Sequence, residues 1–270
     1  MLAAYHRGGG TMRNMASGID HVVIAVTDPD AAASELTETV GLAFTAGGRH
    51  QGYGTFNRIA FLGDAYLELI GVEDAFVASG NPIGAAAVRA LNRGGGFATY
   101  ALADDAIRTS VARLQANDSR IGPVSHGSRE RPDGERVEWW TAASPELGPD
   151  RPPFLIKHLY AGAEWGADAL AARRAAVHPI GSPAVIEGLR VAVPDPLGLA
   201  AECHRDLGLE FWAMGSFAVA IVGRHVIRLV ADESGATVVI GADVGARRSA
   251  TASGVRFEVV PTTFPVSPTS

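Results

Sequence analysis

Two polar side chains, His21 and Glu68, stand inside short apolar runs that have the composition of β-strands. His21 lies in a run over residues 19–26 and Glu68 in a run over residues 66–70. A polar group buried in a sheet costs several kcal/mol unless a partner satisfies it. Two of them in neighbouring strands suggest a shared polar object, such as a metal ion or a ligand. The alternative is that the two side chains only bond each other, because a strand with one solvated face also carries charges.

Two further polar residues lie between those strands. His50 is in a glycine-rich stretch, where an imidazole that titrates near neutrality can act as a general base or a ligand. Otherwise it is an exposed loop histidine. Asn57 starts the next predicted strand, and its amide either orients a substrate carbonyl or bonds the backbone of the turn. We take His50 as a candidate catalytic residue and Asn57 as a candidate substrate ligand.

The middle of the chain supplies more candidates. Arg129 and Arg131 alternate along one predicted strand, so both point to the same face. On an inner face they would anchor a carboxylate or phosphate, and on an outer face they are solvated edge charges. Trp139 and Trp140 point oppositely, so one faces inward as packing or as a ligand platform. His158, on a later strand, is a candidate third ligand or acid/base group, or else caps the sheet edge.

An internal repeat indicates which elements position these residues. Residues 19–44 overlay residues 186–211 without a gap, and each copy reads as a strand, an Asp-Pro helix start, a helix and a Gly C-cap. The first copy continues with three strands, which gives a βαβββ module, and a middle segment repeats that order. The third copy lacks the glycine-rich loop that holds His50. The fold can therefore dispense with this loop, which favours a function for His50.

The fold class predicted from this repeat is α+β. Two βαβββ modules pair into a half-open barrel whose concave face is the natural pocket. The third module packs on the flank of the pair or across a dimer interface. The predicted segments are a disordered lead-in (residues 1–18), the paired modules (19–160, divided as 19–74 and 95–160), a linker (161–182), a third module (183–261) and a disordered tail (262–270).

Composition narrows the class of protein. The chain has 270 residues, a formal charge of −6 and no Lys/Arg-rich run, which argues against a nucleic-acid surface and favours a small-molecule ligand. The one cysteine, Cys203, excludes an intramolecular disulfide and fits a reducing compartment, so we predict a cytoplasmic protein. No run approaches the ~18 to 20 apolar residues of a membrane span, and no membrane partner is expected.

The βαβββ duplication, with His in its first strand and Glu in its fourth, resembles the vicinal oxygen chelate superfamily, which contains glyoxalase I, extradiol dioxygenases, methylmalonyl epimerase and bleomycin resistance proteins. Residues 49–57 (Arg-His-Gln-Gly-Tyr-Gly-Thr-Phe-Asn) and 66–69 (Tyr-Leu-Glu-Leu) are similar to the glyoxalase-like domain family. That family typically shows Arg-His-x-Gly-x-Gly-Thr-x-Asn and then Tyr-Leu-Glu-Leu. Residues 129–134, 153–156 and 178–179 also resemble it.

The resemblance implies a divalent metal, such as Zn, Ni, Fe, Mn or Co, held by the first and fourth strands of both paired modules. Such a metal polarises a substrate with two adjacent oxygens and stabilises an enolate. His21 and Glu68 would supply half of the ligands. A homodimer is a further expectation from the superfamily.

The other half of this ligand set is missing from the sequence. In the middle module the positions that match are Phe97 or Ala98 and Ile156 or Lys157, and a slip of one residue would bring His158 near instead. In the third copy the matching positions are Gly188 and Arg228.

Three functions follow. The leading hypothesis is a lyase, isomerase or epimerase acting on a small oxygen-rich metabolite, in which His21 and Glu68 hold metal or move a proton directly. The second is a metal-free small-molecule binding protein of the drug-sequestration kind. The third, a purely structural protein, needs every polar residue of the first module to be incidental.

Overall fold

The computed structural model describes residues 16–231 and 235–262. Most of the predicted disordered lead-in and tail lies outside these ranges. The first module comprises β1 (Gly18–Ala25), α1 (Pro29–Thr39), β2 (Thr45–His50), β3 (Thr55–Leu62) and β4 (Ala65–Val72). Two helices follow, α2 (Ala75–Ala78) and α3 (Pro82–Leu91). The second module comprises β5 (Gly96–Ala103), α4 (Ile107–Gln115), β6 (Ser125–Glu130), β7 (Arg136–Ala142) and β8 (Phe154–His158).

The remaining elements form two groups. The predicted linker contains two helices, α5 (Gly162–Trp165) and α6 (Ala167–Ala175). Beyond it lie β9 (Ala184–Ala192), α7 (Pro196–Leu207), β10 (Trp212–Met214), β11 (Phe217–Val222), β12 (His225–Val230), β13 (Ala236–Ala242), β14 (Arg248–Ala252) and β15 (Val255–Pro261). Across residues 16–231 and 235–262 no helix is long and apolar enough to cross a membrane.

The repeated helix start behaves as the sequence predicts. The Asp28 side chain accepts hydrogen bonds from two backbone amides in the first turn of α1, with Pro29 at the first helical position. Asp195 caps α7 in the same way, accepting from the amide of Gly198. The α7 helix ends at Gly208, whose φ of 62° is the left-handed conformation that glycine adopts without steric cost.

The two modules close into an eight-stranded barrel in the order β1-β4-β3-β2-β6-β7-β8-β5. The predicted α+β fold with two paired βαβββ modules is confirmed, and the barrel is closed rather than half-open because β2 pairs with β6 and joins the modules on the second side. The alternation of side chains along β1 separates two cores: Val22 and Ile24 face outward into the main core, whereas Val23 and Ala25 face inward and pack with α3.

A β-bulge in β1 breaks this alternation. The pairing of β1 with β5 skips Asp20 on one strand and Ala98 on the other. Asp20 and Ala98 occupy equivalent positions in the two modules, because each is the third residue of its strand, counted from Gly18 in β1 and from Gly96 in β5. A bulge turns an extra side chain toward the face of its neighbour. Here it brings Asp20 beside His21.

The second sheet has the order β10-β11-β12-β9-β13-β15-β14. Strands β9 to β12 with α7 repeat the βαβββ module. The single strand expected after it, at residues 255–260, is instead accompanied by β13 and β14. Strand β13 is antiparallel to β9, as β5 is antiparallel to β1 in the barrel. Strand β15 is parallel to β13, as β8 is parallel to β5. This is a second module without its helix and one strand, which leaves the sheet open.

The second sheet packs on the flank of the barrel within the same chain. The outer barrel residues Val22 and Leu67 share one buried core with Leu189 and Ile227 of the second sheet. At the edge of this contact, the buried carboxylate of Asp206 in α7 binds the Arg120 guanidinium of the segment before β6, at 2.8 Å. The barrel interior remains separate from this shared core.

Candidate functional site

The interior of the barrel contains a cavity of about 70 Å³, measured as space open to the centre of a water molecule. Helix α3 packs into one end, near Ala25 and Ile70, and α5 covers the other end, with Trp165 lining the cavity. The predicted site residues that line it are His21, His50, Asn57, Glu68, Arg129, Trp139 and His158. Both modules therefore contribute to one polar interior.

His21 is held by the bulged Asp20. The Nδ1 atom of His21 lies 2.6 Å from Oδ1 of Asp20, and both side chains are buried. Because an ionised carboxylate only accepts hydrogen bonds, Nδ1 carries a proton, and in the neutral ring the lone pair is on Nε2. Nε2 lies 3.6 Å from Oε2 of Glu68, and the ring stacks on Tyr66 with centroids 4.4 Å apart. The pair has the geometry of an Asp-His general base.

The same carboxylate also binds the second module. Nε2 of His158 lies 3.2 Å from Oδ1 of Asp20, so one carboxylate orients two imidazoles. Burial by itself raises the pKa of a carboxyl group. The charge and hydrogen bond of His158, and then those of His21, outweigh it and hold the pKa of Asp20 well below its usual range. Nδ1 of His158 is buried without a hydrogen-bond partner in the described chain, and its ring stacks on Trp165 at 3.6 Å.

Asn57 connects His50 to Glu68. Its Nδ2 donates to Oε1 of Glu68 at 2.7 Å and lies 3.1 Å from Nε2 of His50. The orientation of the amide is fixed because its Oδ1 accepts from the backbone N–H of Gly48 at 3.0 Å. Nδ1 of His50 bonds the Thr55 hydroxyl at 2.8 Å. The lone pair of His50 and one oxygen of Glu68 are thus already engaged inside the protein.

His50 is neutral around pH 7. Burial lowers its pKa, the charge of Glu68 opposes this effect and that of Arg129 adds to it, so that the pKa falls to about 4. Strand pairing explains why these residues meet: β3 turns Asn57 inward, and β4 brings Glu68 opposite the neighbouring inward residue, Ile59. His50 ends β2 rather than lying in a free loop.

Arg129 and Arg131 converge on a residue that the sequence analysis did not select. Arg129 is 3% exposed, donates from Nη1 to the Gly47 carbonyl at 3.0 Å and from Nη2 to Glu164 of α5. Arg131 binds the other oxygen of Glu164 at 3.1 Å. Its side chain lies outside the cavity, partly exposed beside Asp133. The two side chains share a face, as predicted, but only Arg129 borders the cavity.

A four-ligand divalent metal does not fit these residues. The equivalents of His21 and Glu68 in the second module follow from the bulge and the β8 register, and they are Thr99 and Phe154. The positions expected from sequence, Phe97 or Ala98 and Ile156 or Lys157, are therefore corrected. Neither a threonine hydroxyl nor a phenyl ring replaces a missing carboxylate or imidazole.

The first module does not supply the metal ligands that the second module lacks. The fixed N–H donors of Asn57 point at Nε2 of His50 and at Oε1 of Glu68, where a cation would have to bind. Within the described ranges no group of three or more His, Cys, Asp or Glu side chains is arranged to hold a metal ion. Among the described residues that line the cavity, the potential ligand atoms that Asn57 does not engage include Nε2 of His21, Oε2 of Glu68 and Nδ1 of His158.

Sequence reasoning missed four residues of this site: Asp20, Tyr66, Glu164 and Trp165. Simple alternation places Asp20 on the outer face, and only the bulge reverses it. Tyr66 lies beside His21 in the parallel β1 and β4 pair, where burial, followed by the charges of Asp20 and Glu68, raises its pKa well above the usual value. It is therefore a protonated donor. Glu164 and Trp165 come from the segment assigned as a linker.

A solved structure of another protein shares this architecture over most of the chain. Comparison with curated proteins gives no match. A hypothetical protein from Staphylococcus aureus has a similar structure, with a TM-score of 0.74 and 16% identity over 90% of this chain and 98% of that one. Methylmalonyl-CoA epimerase from Mycobacterium tuberculosis gives a TM-score of 0.38 and 17% identity over 58% of this chain and 91% of that one. The model of the glyoxalase-like domain matches residues 19–207, most of the chain. The chain therefore belongs to the glyoxalase-like domain family.

Proposed function

We propose that this protein is an enzyme that moves a proton on a small oxygen-rich metabolite bound inside the barrel, a reaction of the lyase, isomerase or epimerase type. The observation that carries the proposal is the 2.6 Å contact between Asp20 and Nδ1 of His21, which leaves Nε2 of His21 as a base facing the cavity. In this role His21 acts directly on the substrate, and the reaction needs no bound metal.

The other residues have supporting roles. Abstraction of a proton next to a carbonyl group leaves negative charge on the carbonyl oxygen, and a neutral donor stabilises that charge. Tyr66 stacks on His21 and keeps its phenolic proton, which makes it the candidate donor. Glu68 lies 3.6 Å from Nε2 of His21 and stabilises the imidazolium that forms. His158 shares Asp20 with His21 and is the second candidate acid/base group.

The roles proposed for Asn57 and His50 differ from those of a free ligand and a free base. The Asn57 amide donates one hydrogen bond to Oε1 of Glu68, and Nε2 of His50 accepts the second hydrogen bond from the same amide nitrogen. They position Glu68 rather than touch the reacting atoms. Trp139 packs edge-on against His50 with centroids 5.8 Å apart and forms the wall beside it.

Hydrogen exchange tests the proposal. Small 2-oxo and 2-hydroxy acids are incubated with the protein in D2O, and the loss of the proton next to the carbonyl or carboxylate carbon is followed by ¹H NMR, with and without EDTA. We expect exchange that EDTA does not change. His21→Gln and Asp20→Asn should slow it by at least about a hundredfold, the usual contribution of a positioned base. His126→Gln is the matched control, because His126 is exposed and pairs with Glu138.

Two results would contradict the proposal. If exchange persists in His21→Gln, His21 is not the base. If EDTA abolishes exchange and a divalent metal restores it, the reaction is metal-assisted instead. Binding of these acids without exchange in the wild-type protein would favour the alternative function, a metal-free small-molecule binding protein.

A further inference from the structure

A short segment covers the end of the barrel where β1 begins. This lid segment, residues 162–175, consists of the four-residue helix α5 and the nine-residue helix α6. It is held to the barrel by side chains and not by strand pairing. Trp165 stacks on His158 with centroids 3.6 Å apart, and Arg173 lies over the ring of Phe61 in β3 at 3.6 Å.

The lid segment inserts one carboxylate into the barrel. Glu164 is 7% exposed and accepts from Arg129, Arg131 and the indole N–H of Trp165. Arg129 borders the cavity and comes from the barrel wall, whereas its carboxylate partner comes from outside the wall. A guanidinium that is 3% exposed binds a carboxylate strongly because water competes little there. Glu164 thus occupies the position that an anionic ligand of Arg129 would take.

The connections of the lid segment allow it to move as a unit. Gly162 begins α5 with a φ of 75°, which other residues rarely adopt, and Gly166 is the extended residue between α5 and α6. The N-cap residue of α5, Ala161, makes no side-chain hydrogen bond, and the Ala163 amide in the first turn donates instead to Oε1 of Glu135 at 2.8 Å. Glu164 and Trp165 of the lid segment line the cavity, and Glu164 is bonded to Arg129. A ligand carboxylate can therefore take the place of Glu164 on Arg129 only if the lid segment shifts.

We propose that the site binds small carboxylates, and that the ligand carboxylate replaces Glu164 on Arg129 as the lid segment moves outward. The inference rests on the proposed function, because it names the substrate class of the same cavity. It also explains why Arg129 is buried with a partner from the lid: the internal carboxylate keeps the guanidinium satisfied until the ligand arrives.

Calorimetric titration with malonate tests this, with uncharged malonamide as the comparison probe. Glu164→Gln removes the competing charge and keeps the shape, so it should bind malonate about tenfold or more tightly than the wild type, in keeping with the strength of a charge-assisted hydrogen bond. Malonamide binding should not change. The exposed Glu146→Gln is the matched control and should behave as the wild type. The double variant Arg129→Gln/Glu164→Gln, which leaves no unpaired buried charge at this contact, should lose the gain.

A second readout follows the lid itself. Displacement of Trp165 from the His158 ring should raise tryptophan emission on addition of malonate, and the change should disappear in Trp165→Phe. Equal malonate affinity in the wild type and Glu164→Gln would overturn the proposal, and so would a double variant that binds malonate as tightly as Glu164→Gln. The titrations report binding, so the affinity gain should persist in a His21→Gln background even if the proposed proton transfer is wrong.

Discussion

Replacing Asn57 by aspartate should convert a site that does not fit a metal into one that does. In the wild-type protein, Nδ2 of Asn57 donates a hydrogen bond to Oε1 of Glu68 at 2.7 Å. The carboxylate of Asn57→Asp would still accept from the Gly48 N–H, but it could not donate to Glu68. Loss of a hydrogen bond to a buried charge costs about 1.5–3 kcal/mol, and two carboxylates at this distance repel unless they share a proton. We expect the free energy of unfolding to fall by about 3 kcal/mol at neutral pH.

The same substitution would release Nε2 of His50 and create a cluster of imidazole and carboxylate ligands with Glu68 and His21. Nickel or zinc at about a hundred times its dissociation constant should then recover about 2.7 kcal/mol. The assay is urea unfolding of the wild type and Asn57→Asp, with EDTA and with added metal. Asn117→Asp, at an exposed helix end, is the matched control. A wild type that gains as much stability from the metal as the variant would refute the reasoning that Asn57 excludes a cation.

Two further predictions concern stability. Burial lowers the pKa of both His50 and His225 from 6.5 to about 4, so the unfolded chain binds protons more readily than the folded one as the pH falls from 6.5 to about 4. Each histidine should cost roughly 3 kcal/mol across that window, and urea unfolding at several pH values should show no such loss between pH 7 and 8. Gly54→Ala should destabilise the protein more than Gly52→Ala, although both glycines have positive φ, because a Cβ at Gly54 would lie 2.6 Å from a backbone carbonyl whereas Gly52 faces open space. Thermal unfolding of the two variants compares them, and equal losses would contradict the steric argument.

The sequence predicted the parts of this structure that follow from repeated local patterns. The Asp-Pro starts of α1 and α7 and the Gly208 C-cap are encoded within a few residues, so the first copy predicts the third, whereas α4 of the middle copy starts after Ala106 without a side-chain cap. His21 and Glu68 were found because each interrupts an apolar run. Their convergence follows from the parallel pairing of β1 with β4.

The rest depended on features without a local signal. The bulge at Asp20 arises from the pairing of β1 with β5, and a one-residue irregularity in one strand changes which face a side chain occupies. This bulge makes Asp20 the partner of His21, and the matching bulge in β5 makes Thr99 the equivalent of His21 in the second module. Glu164 was missed for a different reason. It belongs to a segment outside the repeat, and its role is visible only when the barrel places Arg129 beneath it.

The central claim is that His21 presents an unprotonated Nε2 to the cavity while Asp20 holds the proton on Nδ1. Long-range ¹H–¹⁵N NMR of the imidazole rings at neutral pH measures this directly, with His21→Gln to assign the signals. The account predicts a neutral His21 with the proton on Nδ1, unchanged by EDTA, and the opposite tautomer in Asp20→Asn. A proton on Nε2 in the wild-type protein, or a His21 signal that shifts when EDTA removes a bound metal, would contradict it.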